Sequence, residues 1–493
     1  MDLAVRIRAI LELDPSRPAV YFGTGSTSWG DLAEVVSGLD RALDAIGAPA
    51  GAAIGLVLRN EPAHLAAAIG LMASSHCLVT ISPLLGDERL ASDIAALDGC
   101  AIVAGTADWD RPRLADAIAA SGAPGLELRD DGGLVIRQAP SPSWASPTKP
   151  AVAIQMLTSG TTGDPKRIDL TYAALEHSLL TSAHYESAEA EPLRLRDGVR
   201  ICWAPLVHIS GIWGVIKNVV DGRPTALLER FDVDGWVRFV REHRPPVSGL
   251  PPTALRMVLD AGVDRSDLSS LKAIIGGSAP TSPELVDEFL ATYGVPVLVV
   301  YGATEFAGAV AGWTLPDFHR SWEAKRGSVG RAHPGVGLRV VDPESGVEVA
   351  PDAVGALEVQ SPQLVGDGWV RTNDLAQLDA DGYLYIVGRA DDVIIRGGFK
   401  ISPAKVADVL RQHPAVLDAG VAGLDDVRLG SVPVAAVELR NGSTVPPTEA
   451  DLLAFARERL AAYEVPRSIR IVSSLPRTPS LKVSQPALRE LLA

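Results

Sequence analysis

Leu157 to Lys166 reads Leu-Thr-Ser-Gly-Thr-Thr-Gly-Asp-Pro-Lys, with hydroxyls at Thr158, Ser159, Thr161 and Thr162 and glycines at Gly160 and Gly163. Glycines let backbone N–H groups converge on an anion, and hydroxyls add neutral donors. Pro165 holds the approach to Lys166 extended, and the lysine ammonium supplies charge where negative charge gathers. The chemistry implied is phosphate binding. The spacing is not that of a Walker loop, in which Gly and Lys stand side by side before Ser or Thr. Here Asp164-Pro165 separates Gly163 from Lys166, and Arg167 follows. Taken alone, the stretch also suits a surface turn rich in Ser, Thr and Gly.

Four further segments carry chemistry. Gly276-Gly277-Ser278-Ala279-Pro280 follows the apolar run Leu271 to Ile275, so a strand ends in a glycine turn where a flat ring can lie against bare backbone. Tyr301-Gly302-Ala303-Thr304-Glu305 sets an aromatic, a hydroxyl and a carboxylate at the carboxyl end of a strand over Val295 to Val300, which is where open α/β sheets bind ligands. Thr372-Asn373-Asp374 offers a carboxylate for two sugar hydroxyls, and Gly388-Arg389 adds a guanidinium with paired donors. Pro476 to Lys482 places a lysine on a mobile-looking tail. Two near misses are discounted: Gly276-Gly277-Ser278 lacks the fifth-position Gly of a hydrolase elbow, where Pro280 stands, and Gly23-Thr24-Gly25 has Ser28 in place of a dinucleotide loop's third Gly.

In this order and combination the segments resemble the adenylate-forming superfamily of acyl-CoA synthetases, peptide-synthetase adenylation domains and firefly luciferases, over essentially the whole chain. The resemblance implies ATP-dependent activation of a carboxylic acid as an acyl-adenylate with release of pyrophosphate, then transfer to coenzyme A. ATP, Mg2+ and coenzyme A are the small molecules it implies. By the same resemblance Thr158 to Lys166 cover the outer phosphates, Thr304 bonds the α-phosphate and Glu305 ligates magnesium. Gly277, Ser278, Ala279, Tyr301 and Gly302 bracket the adenine, and Asp374 with Arg389 holds the ribose. Lys482 bridges carboxylate and α-phosphate, Gly398 borders the pantetheine path, and Asp391 is the hinge. His208, Gly211, Gly276, Ala303 and Gly308 line the acyl pocket. The chain departs from the family pattern at Arg167 and Leu481, where Gly is usual, and at Lys405, where glutamates are usual; the first two bear on loop closure, the third on thioester formation.

The elements that must position these residues read as α/β. Apolar strand-like runs at Ala52 to Leu58, Cys77 to Ile81 and Cys100 to Ala104 alternate with stretches of helical period such as Ala63 to Ser74. After about residue 330, short strands at Leu338 to Val341, Gly355 to Gln360 and Leu384 to Val387 suggest antiparallel hairpins. A compact α+β unit follows, with helices over Pro403 to His413 and Glu449 to Leu460. The resemblance turns this into a large N-terminal domain of several subdomains, 1–388, with layered sheets and helices plus a β-rich part, and a small mobile α+β C-terminal domain, 389–493. Ala139 to Pro150, rich in Pro and Ser, reads as a linker.

Composition bounds the function. Hydrophobic residues make up 47% and charged residues 21%, as in a globular protein, and the net charge of −15 argues against nucleic acid or an anionic membrane as partner. Three scattered cysteines show no zinc-like spacing and fit a reducing compartment, and no apolar stretch is long enough to span a bilayer, so a cytoplasmic location is expected. The pocket segments are apolar or small, which favours a hydrophobic acid, of fatty or ring-bearing type, over an amino acid whose ammonium would need a carboxylate. A ligase that stops at the adenylate or serves a carrier-protein thiol, a luciferase-like oxidase and a non-catalytic acyl-nucleotide sensor stay open. So does the oligomeric state, a homodimer included.

Overall fold

The computed structural model describes residues 2–158, 166–181, 193–364, 368–390, 392–397, 399–440, 446–478 and 481–493. Among them the strands gather into five sheets. The largest runs, edge to edge, Leu134–Gln138, Gly125–Leu128, Ala101–Gly105, Ala53–Val57, Cys77–Ile81, Val152–Thr158 and Lys166–Thr171. Its central strands are parallel and buried at every position from 53 to 57, 77 to 81 and 101 to 105, because helices cover both faces. That double burial is why those strands are continuous apolar runs. The crossover helix Pro62–Ala73 is buried along its whole length from Ala63, with proline in its first turn, where a missing N–H is harmless.

The edge strand Lys166–Thr171 folds back antiparallel on Val152–Thr158, so that Lys166 stands opposite Thr158. Successive residues of a strand face opposite ways. Arg167 accordingly leaves the lysine's face: its guanidinium donates to the Thr80 carbonyl (3.1 Å) and to Asp93 Oδ1 (2.7 Å) on the helix Asp87–Ala95. Both side chains are largely buried, at 15% and 9% exposure. The departure from glycine at 167 is therefore a tie inside the sheet layer. The segment expected as a linker is tied down as well. The Ala53 N–H donates to the Pro147 carbonyl, the Trp144 indole to the Gly99 carbonyl, and Ala52 bridges Thr148, so residues 139–150 run as a strap across the sheet.

A second sheet carries parallel strands Val247–Gly249, Ala273–Gly276 and Val297–Ala303, then turns antiparallel through Gly308–Gly312 and Arg331–Ala332. The expected hairpins form a meander of Gly337–Val341, Gly355–Gln360, Val370–Leu378 and Leu384–Arg389. The last hundred residues have cores of their own, one around Ile401, Leu410 and Val437 and one around Val434, Leu475 and Leu488. Both expected helices are present as Pro403–Arg411 and Glu449–Arg457. A further helix, Gln485–Leu492, escaped the periodicity reading because in its eight residues only Leu488 and Leu492 are buried. Lys405, at the family's glutamate position, pairs with the buried Glu464 at 2.7 Å. Cys77, Cys100 and Cys202 are all buried, which pushes their thiols up to about 12, 11 and 12. Among the described residues no helix is long and apolar enough to cross a membrane.

Removing one partner of a largely buried pair strands the other charge. Asp93→Ala is expected to lower unfolding free energy by about 3 kcal/mol, and Arg167→Ala/Asp93→Ala to lose less than the two single changes combined. Additive losses in denaturant titrations would mean that the two side chains do not interact.

Candidate active site

Tyr301 lies near the carboxyl end of the strand Val297–Ala303, and Asp374 sits within Val370–Leu378 in the neighbouring meander. The Tyr301 hydroxyl donates to Asp374 Oδ2 at 2.5 Å, joining the two sheets. Burial, then the Asp374 charge, pushes the phenol well above its ordinary range, so it remains a donor. Asp374 and Arg389 are register partners on antiparallel strands, and Arg389 Nη1 lies 3.9 Å from Asp374 Oδ1. Three of the expected residues thus share one end of two sheets.

Lys482 arrives there from the far end of the chain, and not on a loose tail. Arg477 bridges Val483 antiparallel, the Thr478 N–H donates to the Lys482 carbonyl (2.7 Å), and the Lys482 N–H donates to Thr478 Oγ1 (3.2 Å). Leu481 takes φ +63°, a left-handed conformation costing a side-chain-bearing residue about 1 kcal/mol or more. Thr253 donates its hydroxyl to the Leu481 carbonyl at 3.0 Å. Lys482 keeps an exposed surface, although protein crowds its ammonium. Desolvation, reinforced by the positive charge of Arg389, holds its pKa below the usual lysine range. His208, N-cap of the helix Ile209–Val220, is pushed down to about 4, mainly by burial and further by the charge of Lys482. Lys482 thus lies close enough to Arg389 and to His208 for their charges to act on one another.

Around them, Gly276 ends the strand Ala273–Gly276, Gly277 and Ala279 are half-buried, and Ser278 is exposed with φ +70°. Ala303 precedes a short 3-10 turn, Thr304–Phe306, in which Glu305 is exposed. In the hairpin that follows, Gly302 pairs with Ala309 and Ala303 with Gly308: a β-carbon at 302 would stand 2.3 Å from the Gly308 carbonyl oxygen, and Gly308 has φ +140°. Closure of that hairpin requires both glycines. Gly211 is buried in the first turn of the helix after His208. A residue the sequence reading missed, Ser178, lies beneath: it donates to the Ala307 carbonyl (2.8 Å) and accepts from the Trp213 indole (2.9 Å). It sits in an ordinary helix, Tyr172–Thr181, with no motif around it. Lys166 is exposed at the start of its strand. Ser159, Gly160, Thr161, Thr162, Gly163, Asp391, Gly398 and the Thr158 side chain fall outside the described residues.

Two family descriptions match the chain, AMP-binding enzyme over residues 8–367 and AMP-binding enzyme C-terminal domain over 405–482. The chain belongs to the AMP-binding enzyme family. This AMP-binding enzyme is 28% identical to 4-coumarate–CoA ligase-like 9 of Oryza sativa subsp. japonica, across 95% of this chain and 88% of that protein. It is 35% identical to 2-succinylbenzoate–CoA ligase of Geobacillus kaustophilus (strain HTA426), across 69% of each. Its fold matches ATP-bound MatB from Rhodopseudomonas palustris with a TM-score of 0.84 at 25% identity, covering 100% of this chain and 99% of that one.

The residues of this AMP-binding enzyme suit ATP and magnesium. A carboxylate with one oxygen tied to a phenol and the other near a guanidinium is an acceptor fixed in place for sugar hydroxyls, and the paired cations call for a polyanion. Among the described residues no group of three or more His, Cys, Asp or Glu could cage a metal. In the nucleotide-free enzyme, His208 is expected to stay neutral from pH 8 to about 5 and to take up a proton only near pH 4. Its imidazole resonances should not shift across neutrality in a pH titration followed by NMR; a midpoint near 6.5 would remove it from this cleft.

Proposed function

We propose that this AMP-binding enzyme is an AMP-forming acid–CoA ligase for an apolar, ring-bearing carboxylic acid. The observation that carries the reading is the meeting of Lys482, Arg389 and neutral His208 beside the Tyr301–Asp374 pair. The Arg389 charge, partly compensated by Asp374 and Asp392, still disfavours the charged lysine, and an anion bound beside Lys482 would favour it. A carboxylate and an α-phosphate drawn together supply that anion, and its charge is greatest as the new bond forms, so Lys482 acts mainly on the transition state.

In the first half-reaction a carboxylate oxygen bonds to the α-phosphorus while the bond to the β-phosphate oxygen breaks, and pyrophosphate carries away the electron pair. Magnesium, held by Glu305 and phosphate oxygens, would neutralise the departing charge. Asp374 and Arg389 hold the ribose, Tyr301 with Gly277, Ser278, Ala279 and Gly302 brackets the adenine, Thr304 bonds the α-phosphate, and Thr158 to Lys166 cover the outer phosphates. In the second half the coenzyme A thiol loses its proton, its sulfur bonds to the acyl carbon, and AMP leaves. Gly398 is assigned to the thiol path. The domain boundary is assigned to 388/389, with the hinge at Asp391.

The acid is assigned from the pocket and the relatives. His208, Gly211, Gly276, Ala303 and Gly308 form its lining in this reading, with Trp213 closing one side through its bond to Ser178. A neutral histidine and an indole whose N–H is already engaged suit a flat apolar body better than an ammonium. The acids named in the two curated relatives, 4-coumarate and 2-succinylbenzoate, both carry a benzene ring.

ATP–pyrophosphate exchange with cinnamic, benzoic and fatty acids, followed by addition of coenzyme A, tests the reading. Exchange should be fastest with a ring-bearing acid, and CoA thioester should accumulate; exchange without thioester would instead indicate a carrier-protein thiol as acceptor. Lys482→Ala should slow exchange by about a thousandfold while sparing thioester formation from synthetic acyl-adenylate. Equal loss of both halves would mean that the lysine is misassigned.

A further inference from the structure

The turn that presents Lys482 is fastened to the rest of the molecule by features no motif announces. Leu481 occupies a left-handed conformation where glycine would be unstrained, so its side chain must repay that strain. It packs against the apolar cluster that includes Leu250, Ala254 and Leu255, remote in sequence from the C-terminal cores. Its carbonyl accepts from Thr253 Oγ1 at 3.0 Å and from Arg477 Nη1 at 3.4 Å. The Arg477 guanidinium also reaches Thr253 Oγ1 (3.2 Å), Asp418 (2.7 Å) and Glu438 (3.3 Å), the last two within the C-terminal sheet.

Thr253 lies in the first turn of the helix Pro252–Asp260, and the same helix is gripped at its other end, where Asp260 pairs with Arg440 at 3.2 Å. This short helix thus touches the C-terminal unit at both ends, and Leu481 packs against the apolar cluster to which Ala254 and Leu255 belong.

We infer that Leu481 and Thr253 are positioning residues that latch the Lys482 turn onto the helix Pro252–Asp260, and that the apolar anchor at 481 outweighs the freedom a glycine would give. The inference rests on the reading of Lys482 as the adenylating lysine. The latch acts through the lysine and touches no reacting atom, so it governs the first half-reaction and leaves thioester formation from preformed adenylate to other groups.

The variants separate anchor from strain. Leu481→Gly relieves the left-handed turn and removes the anchor, Leu481→Met keeps an unbranched apolar reach, and Thr253→Val deletes only the hydroxyl. In the full-length enzyme, with 4-coumarate, benzoate and octanoate as probe acids, L481G and T253V are expected to slow ATP–pyrophosphate exchange about tenfold in kcat with little change in the KM for ATP. L481M should retain more than half the rate. Thioester formation from a synthetic acyl-adenylate should be unaffected in all three. The backbone amides of Thr478 and of Leu481 to Ser484 should exchange hydrogen about tenfold faster in L481G and T253V than in the parent. An L481G enzyme as fast as the parent, or with unaltered amide protection in that turn, overturns the latch. Lys482→Ala is the control: if it leaves exchange intact, the reading of the lysine fails, and the amide protection, which needs no acid, still decides whether the latch exists.

Discussion

Like charges do not share a cleft without an external reason, and here Lys482 and Arg389 do so while burial already disfavours the lysine's charged form. The arrangement is held by structure outside the charges: antiparallel pairing fixes Arg389 against Asp374, and the 477–483 turn holds the lysine. Arg389 also lies 3.9 Å from a carboxylate oxygen of Asp374 and of Asp392, so its charge is partly compensated within the protein.

Most of the fold was legible because the layered sheets impose simple patterns. Strands covered on both faces had to be apolar runs, and those runs lie within a residue or so of the observed strands at 53–57, 77–81 and 101–105. The helix Gln485–Leu492 was not legible, since two buried leucines in eight residues give no sustained period. Nor was the pinned course of 139–150, because the bonds that fix it run between backbone atoms and distant strands and leave only a Pro- and Ser-rich composition.

The site divides in the same way. Tyr301, Asp374, Arg389 and Lys482 each sit in a short motif, and the geometry brings them near one another. Thr253 and Ser178 carry no local signature; their roles arise from partners 228 and 129 residues away. The departures at 167 and 405 gain a physical reason from the fold: each is half of an ion pair with a well-buried carboxylate. Position 481 differs, because there the side chain is accommodated by contact with apolar neighbours and not by charge.

The buried cysteines bear on chemical selectivity. An acyl-adenylate reacts with whatever sulfur nucleophile reaches it, and Cys202 lies next to the helix that follows His208, its Sγ 3.8 Å from the Gly211 carbonyl oxygen. Burial raises this thiol's pKa, as it does those of Cys77 and Cys100, and so favours the protonated sulfur. The activated acyl group therefore meets no competing thiolate from its own catalyst, and self-acylation is suppressed by sequestering sulfur where the electrophile is made.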